Sequence, residues 1–282
     1  MIRSFWITQI TLLVSHCLTT GALTAEQLDY KTLKNVAYRG KIRESSYASE
    51  RCQLDLYYPS NGKQFSTVVW FHGGGLRNGN RSIPDGLMNK HLGIVAVGYR
   101  LSPKAKVATI LDDAAAAVAW TFNNIDKYGG GRRLIFISGH SAGGYITSML
   151  GLNAKLLKAH NVDPNSIAGL IPYSGHAITH FTARAEQGIG DKQPIIDKFA
   201  PLFHVKKDCP PMLLVTGDRD LELLGRYEEN AYFWRMMKVA GNTTTILHEI
   251  KGHNHGQMVE PAHPLLIEFV ERRTMEIQAS LK

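Results

Sequence analysis

Leu134-Ile135-Phe136-Ile137-Ser138-Gly139-His140-Ser141-Ala142-Gly143-Gly144 is the stretch from which the rest of this chain is read. Its first four residues are apolar and mostly β-branched or aromatic, as in a strand buried on both faces. Glycines and an alanine then crowd around Ser141, and a helical pattern begins at once. A strand that turns this sharply into a helix brings backbone segments close together, so side chains at Gly139 or Gly143 would clash. The bend lifts the Ser141 hydroxyl above the sheet, and the helix that follows aims its positive N-terminal end at it. Ser141 is therefore a candidate nucleophile.

The chain on either side fits one large domain. Its 282 residues, 44% hydrophobic and 20% charged, can bury a substantial core. The formal charge of +8 is scattered, with basic residues never running longer than pairs such as Arg132-Arg133 and Arg272-Arg273. A nucleic-acid partner would call for clustered cations interleaved with aromatics, so none is expected. Residues 1–25 carry Arg3, an apolar run from Phe5 to Leu18 and small residues near Ala22 and Ala25, the pattern of a secretory signal peptide. Residues 26–282 are then expected as a single exported domain, periplasmic or secreted. No later stretch holds 18 consecutive apolar residues, so no membrane span is expected. Cys52 and Cys209 fall on opposite sides of the expected sheet and are read as unpaired thiols.

Strand and helix patterns alternate along this domain. Strands are expected at 35–40, 53–58, 67–71, 94–99, 134–138, 167–173, 212–216 and 244–250. The segment at 53–58 alternates polar and apolar residues before Pro59, which suggests an edge strand. Helices are expected at about 108–128, from the elbow to about His160, at 225–239 and at 264–277. Such alternation gives a mostly parallel sheet with helices on both faces. The long irregular segment from His176 to about Pro210, with Pro194 and Pro201 inside it, is expected to form a small lid near the site.

A serine hydroxyl needs a base to take its proton, and the base needs a partner that fixes its tautomer. The strand at 212–216 runs into Gly217-Asp218-Arg219-Asp220, and the strand at 244–250 into Lys251-Gly252-His253-Asn254-His255-Gly256. Asp218 lies nearest its strand end, where aspartate tends to bond its own backbone. Asp220 is freer to reach a neighbouring loop and is the expected acid, with Asp218 as the alternative. His255 is the expected base, with His253 as the alternative. His72-Gly73-Gly74-Gly75, directly after a strand, can present unobstructed N–H donors to an oxyanion.

Three motifs in order, His72-Gly73-Gly74-Gly75, Tyr99-Arg100-Leu101-Ser102-Pro103 and Gly139-His140-Ser141-Ala142-Gly143-Gly144, resemble those of the hormone-sensitive-lipase-type esterases. The closest likeness is to their bacterial feruloyl/acetyl-xylan-esterase-like branch, over roughly residues 50–275. The resemblance implies an α/β-hydrolase fold with an eight-stranded sheet and a Ser141–His255–Asp220 triad. It also implies oxyanion donors from Gly74, Gly75 and Ala142, and a serine carboxylesterase that needs no cofactor. The small insertion after His176 suits short acyl or aryl esters, acetyl or feruloyl, free or linked to polysaccharide, rather than long-chain lipids. A peptidase or aryl-formamidase using the same triad, or a catalytically silent binding protein, are the alternatives. His176 and His180 have metal-ligand spacing but no supporting motif, so they are read as pocket residues rather than as ligands.

Overall fold

The computed structural model describes residues 28–40, 46–223 and 225–281; the leader-like segment 1–25 lies outside them. The strands are β1 (Tyr30–Ala37), β2 (Gln53–Pro59), β3 (Phe65–Phe71), β4 (Leu92–Val97), β5 (Gly130–His140), β6 (Gly169–Tyr173), β7 (Met212–Gly217) and β8 (Thr245–Ile250). The helices are α1 (Ser46–Arg51), α2 (Val107–Asn124), α3 (Ala142–Leu152), α4 (Ala154–Lys158), α5 (Phe181–Glu186), α6 (Arg226–Val239) and α7 (Val259–Ala279). The strands form one sheet in the order β1-β2-β4-β3-β5-β6-β7-β8. β1 and β2, and β2 and β4, pair antiparallel, and every pairing from β4 to β8 is parallel. With helices on both faces, this is the α/β-hydrolase fold.

Alternation along the central strands divides the core. Val69 and Phe71 of β3 join Ile135 and Ile137 of β5 in a cluster with Ile110, Ala114 and Ala117 of α2 and Ile146 and Met149 of α3. Val68 and Trp70 face the other way, with Phe136, Ile171 and Val215, onto Met258, Leu266 and Phe269 around α7. β3, β4, β6 and β7 are buried along their whole length, which is why they read as continuous apolar runs.

Chain direction then places the site. β3 sends its next strand to one side of the sheet, and β5 lies on the other, so the connections diverge between β3 and β5. The loops leaving β3, β5, β6, β7 and β8 all emerge at the same end, over that divergence.

Several elements depart from the sequence expectation. β2 is not an edge strand: β1 pairs along it from Tyr30↔Pro59 to Ala37↔Gln53, with a register shift between Leu33 and Val36. Asn35 takes φ 59 there, and its N–H donates to Asp55, the polar residue whose alternation suggested an edge. The helix after the elbow breaks at Asn153, whose side chain accepts from Lys155 N–H and starts α4. α7 begins at Val259, and Pro264 lies inside it rather than at its start. The lid-like insertion holds only α5 and a short turn of helix at Pro201–His204. Cys52 and Cys209 are both free, and burial pushes each thiol up to about 11.

Candidate active site

Ser141 sits at φ 58, ψ −113, between the end of β5 and the first turn of α3. A non-glycine residue stays there only when its surroundings force it to. Its N–H donates to Tyr173 carbonyl at 2.8 Å, fixing the elbow to β6. The flanking glycines are a steric requirement. A Cβ on Gly143 would lie 1.9 Å from Phe71 carbonyl oxygen, and one on Gly139 would lie 2.4 Å from the same atom. α3 can approach β3 only because these positions are bare.

The loop after β8 brings His255 to the serine: Ser141 Oγ lies 2.9 Å from His255 Nε2. The other histidine of this loop, His253, turns away, its Nδ1 on Lys251 carbonyl at 2.8 Å. Its own carbonyl accepts from Asp218 N–H at 2.8 Å and so ties the β7 and β8 loops together.

The carboxylate that meets His255 is not the expected one. His255 Nδ1 donates not to Asp220 but to Glu222 Oε1, at 2.6 Å. Asp218 is occupied by backbone, accepting from Asp220 N–H at 3.0 Å and Gly252 N–H at 2.7 Å. Asp220 lies exposed on the turn that Asp218 holds. The Asp218 carbonyl accepts from Leu221 N–H at 3.0 Å and Glu222 N–H at 2.7 Å, so the loop coils back. That returns Glu222 over the end of β7, where its side chain is 1% exposed and Oε2 accepts from Gly217 N–H at 3.1 Å. Burial by itself would push this carboxyl up; hydrogen bonds from His255 and Ser174 outweigh it and hold it at about 2. A glutamate four positions beyond Asp218 was the available signal, since one turn suffices to bring it back.

Ser174, fully buried at the end of β6 with φ 44, was also missed. Its hydroxyl donates to Glu222 Oε2 at 2.7 Å and lies 3.0 Å from His255 Nδ1, where it can share that N–H with the carboxylate. His140 braces His255 from the other side: its Nε2 lies 2.8 Å from His255 carbonyl, and the two rings are 4.6 Å apart. Burial, and next the adjacent His255, lower His140 to about 4, so it stays neutral and donates from Nε2.

The His72–Gly75 loop lies against the elbow, since a Cβ on Gly73 would be 3.2 Å from His140 carbonyl oxygen and 3.4 Å from Ser141 Cβ. Gly74 and Gly75 take φ 107 and 63. Gly74 carbonyl accepts from Arg77 N–H at 3.0 Å and Asn78 N–H at 2.9 Å, and Gly75 carbonyl from Thr182 Oγ1 at 2.7 Å. With those carbonyls engaged elsewhere, the amides of Gly74 and Gly75 remain unengaged among the described residues. Ala142 is the first residue of α3, where an N–H has no intrahelical partner. His72 stacks on Tyr99 with ring centroids 4.2 Å apart and serves the loop from beneath.

The metal reading of His176 and His180 gains nothing from the geometry. His176 Nδ1 meets Glu229 at 3.0 Å and Nε2 meets Arg226 at 2.9 Å, while His180 Nδ1 accepts from Thr182 N–H.

Residues 54–224, well over half of the chain, match the family BD-FAE. The chain belongs to the BD-FAE family. Curated relatives of this BD-FAE chain include Esterase LipC of Mycobacterium tuberculosis, 23% identical over 69% of this chain and 53% of LipC. Carboxylesterase NlhH of the same organism is 26% identical over 69% of this chain and 68% of its own. The chain thus spans about half the length of LipC and of the plant isoprenylcysteine methylesterase relatives. Among solved structures, a truncated carbohydrate esterase from gut microbiota superposes with a TM-score of 0.73 at 19% identity, covering 89% of this chain and 99% of that one. That likeness is one of fold.

Proposed function

We propose that this chain is a serine carboxylesterase in which Ser141, His255 and Glu222 form the triad and Gly74, Gly75 and Ala142 supply the oxyanion donors. The observation that carries it is the continuous line Ser141 Oγ–His255 Nε2 at 2.9 Å and His255 Nδ1–Glu222 Oε1 at 2.6 Å. Glu222 holds the proton on Nδ1 and leaves the Nε2 lone pair facing the serine hydroxyl. Ser141 Oγ bonds to the ester carbonyl carbon as its proton passes to Nε2, and the oxyanion forms against the amides. The carbon–oxygen bond to the alcohol then breaks, and the imidazolium gives its proton to the departing oxygen. Water repeats the sequence on the acyl-enzyme, releasing the acid and restoring Ser141. Every proton and electron pair is accounted for without a cofactor.

The substrate reading is short acyl or aryl esters, acetyl- or feruloyl-type, including those on polysaccharide. The small insertion around α5 and the likeness to a carbohydrate esterase from gut microbiota support it. The leader-like residues 1–25 support export, which N-terminal sequencing of the mature protein tests: it should begin near residue 26. The activity is tested with p-nitrophenyl acetate and butyrate, together with acetylated xylan and methyl ferulate. The wild-type protein should turn over at least the activated esters. Ser141→Ala should lose about 10⁴-fold or more in kcat while keeping its thermal transition. Equal turnover in the two proteins would remove Ser141 from the chemistry.

A further inference from the structure

Beside the oxyanion loop lies a cavity of about 740 Å³. Its lining includes near neighbours of the Gly74–Gly75 loop and of Glu222, though not the proposed triad residues themselves. Arg77 follows the Gly74–Gly75 turn, Phe181 packs on Gly75, and Leu223 is the neighbour of Glu222. A larger cavity, of about 860 Å³, lies among Phe65, Leu92 and Met275 at the opposite end of the sheet and has no access to Ser141.

The walls of the first cavity carry charge of both signs, unequally engaged. Its carboxylates are Asp191, Glu228 and Glu229. Glu229, the half-buried one, is consumed: it accepts from His176 Nδ1 at 3.0 Å and from Ala177 N–H at 2.9 Å. Asp191 and Glu228 are exposed at the rim, where water and salt screen them. Its cations are Arg77, Arg184, Lys192 and Arg226. Arg226 is 3% exposed and committed to Ser174 carbonyl and His176, with Glu222 and Glu229 as its countercharges.

Arg184 differs from the others. It is 4% exposed and donates from Nη1 to Gln193 carbonyl; its buried Nε has no partner, as is also true of Arg226, but Arg226 has carboxylates beside it and Arg184 does not. Among the described residues no carboxylate forms an ion pair with it. A buried guanidinium without a counterion is costly, and the cost is removed when an anion enters beside it. Arg77, over the Phe181 ring at 5.5 Å, adds a second positive charge on the same wall.

Resting on the esterase reading above, we propose that this cavity receives a carboxylate carried by the ester substrate, with Arg184 as its principal partner and Arg77 and Lys192 at the entrance. The planar fork of a guanidinium suits a carboxylate better than a neutral hydroxyl or methyl ester. The preferred substrates are then acidic esters, with the charge on either the acyl or the alcohol part.

Two matched pairs locate it. p-Nitrophenyl hemisuccinate against p-nitrophenyl butyrate reports the acyl side, and 4-acetoxybenzoate against its methyl ester reports the alcohol side. In one pair the carboxylate ester should show kcat/KM about 10- to 100-fold above its neutral partner. Arg184→Gln should bring that ratio toward 1. Ratios near or below 1 in both pairs, or a preference that Arg184→Gln leaves as it was, would overturn the proposal. Should Arg184→Gln fail to fold, the exposed Arg77→Gln must at least lower the ratio, and a ratio it leaves unmoved counts against the proposal. Calorimetric binding of succinate and benzoate to Ser141→Ala protein, with succinamide and benzamide as controls, needs no turnover. Carboxylate-selective binding without hydrolysis of any ester would keep the site and reject the esterase reading; hydrolysis without selectivity would do the reverse.

Discussion

Glu222 accepts from four donors, His255 Nδ1, Ser174 Oγ, Gly217 N–H and Leu223 N–H, and these hold the carboxylate in one orientation under the imidazole. Glu222→Gln keeps the size of the side chain but no longer favours the tautomer that frees Nε2. It should cost about 10²–10⁴-fold in kcat. Asp220→Asn, on the exposed turn, should stay within about twofold of wild type. Steady-state kinetics on p-nitrophenyl butyrate separates the two. Ser174→Ala removes a hydrogen bond to a charged group and should lower kcat about 10- to 100-fold with little change in KM, since the hydroxyl acts through Glu222 and His255 rather than on substrate. An unchanged kcat would reduce Ser174 to packing. At this scale the Ser141–His255 contact was legible because each residue lies beside glycines in a turn that follows a strand. The contact of Glu222 with His255 was not, because the position of Glu222 depends on a turn closed by Asp218 carbonyl, and nothing in the local spelling separates a loop that coils back from one that runs on.

The elbow and the oxyanion loop are two elements held together through missing side chains. Gly143→Ala would place a methyl 1.9 Å from Phe71 carbonyl oxygen, which α3 can relieve only by lifting off β3. Loss of about 3 kcal/mol or more of stability is expected, with activity falling in the same step, and thermal unfolding together with turnover measures both. Gly190→Ala, where a Cβ would meet nothing within 4 Å, is the control and should change neither appreciably. Most elements could be read from pattern: the parallel strands are buried on both faces, and α2 carries alanine and isoleucine at helical spacing. The misplacements have physical causes. β1 shows no apolar alternation because most of it is solvent-facing and its register shifts at Asn35. α7 starts earlier than its sequence suggests because Pro264 usually marks a first turn, whereas here the helix tolerates the missing N–H.

Across the whole molecule, several ionisable groups are held in the form that acid removes. Burial lowers His72 to about 4, and His140 sits at about 4 for the same reason with His255 adding to it. A histidine with a folded value below its ordinary 6.5 prefers to be neutral when folded, so the unfolded chain binds more protons. The stability it contributes is complete above about pH 6.5 and declines as pH falls toward 4. Glu222, depressed from 4.5 to about 2, adds a separate loss that begins only below about pH 4.5 and runs on toward 2. Stability, read from thermal unfolding, should therefore fall steadily from pH 6.5 to 4, by on the order of 1–3 kcal/mol for each buried histidine. A pH-independent transition across that window would contradict the burial of these rings.

The triad itself is tested most directly by the rate at which a fluorophosphonate labels the protein, with the modified peptide identified by mass spectrometry. The wild-type chain should take up one equivalent at Ser141. Asp220→Asn should label at the wild-type rate, Glu222→Gln at least about 100-fold more slowly, and Ser141→Ala not at all. Labelling at another residue, or a rate that drops for Asp220→Asn and not for Glu222→Gln, would contradict the assignment of Ser141, His255 and Glu222.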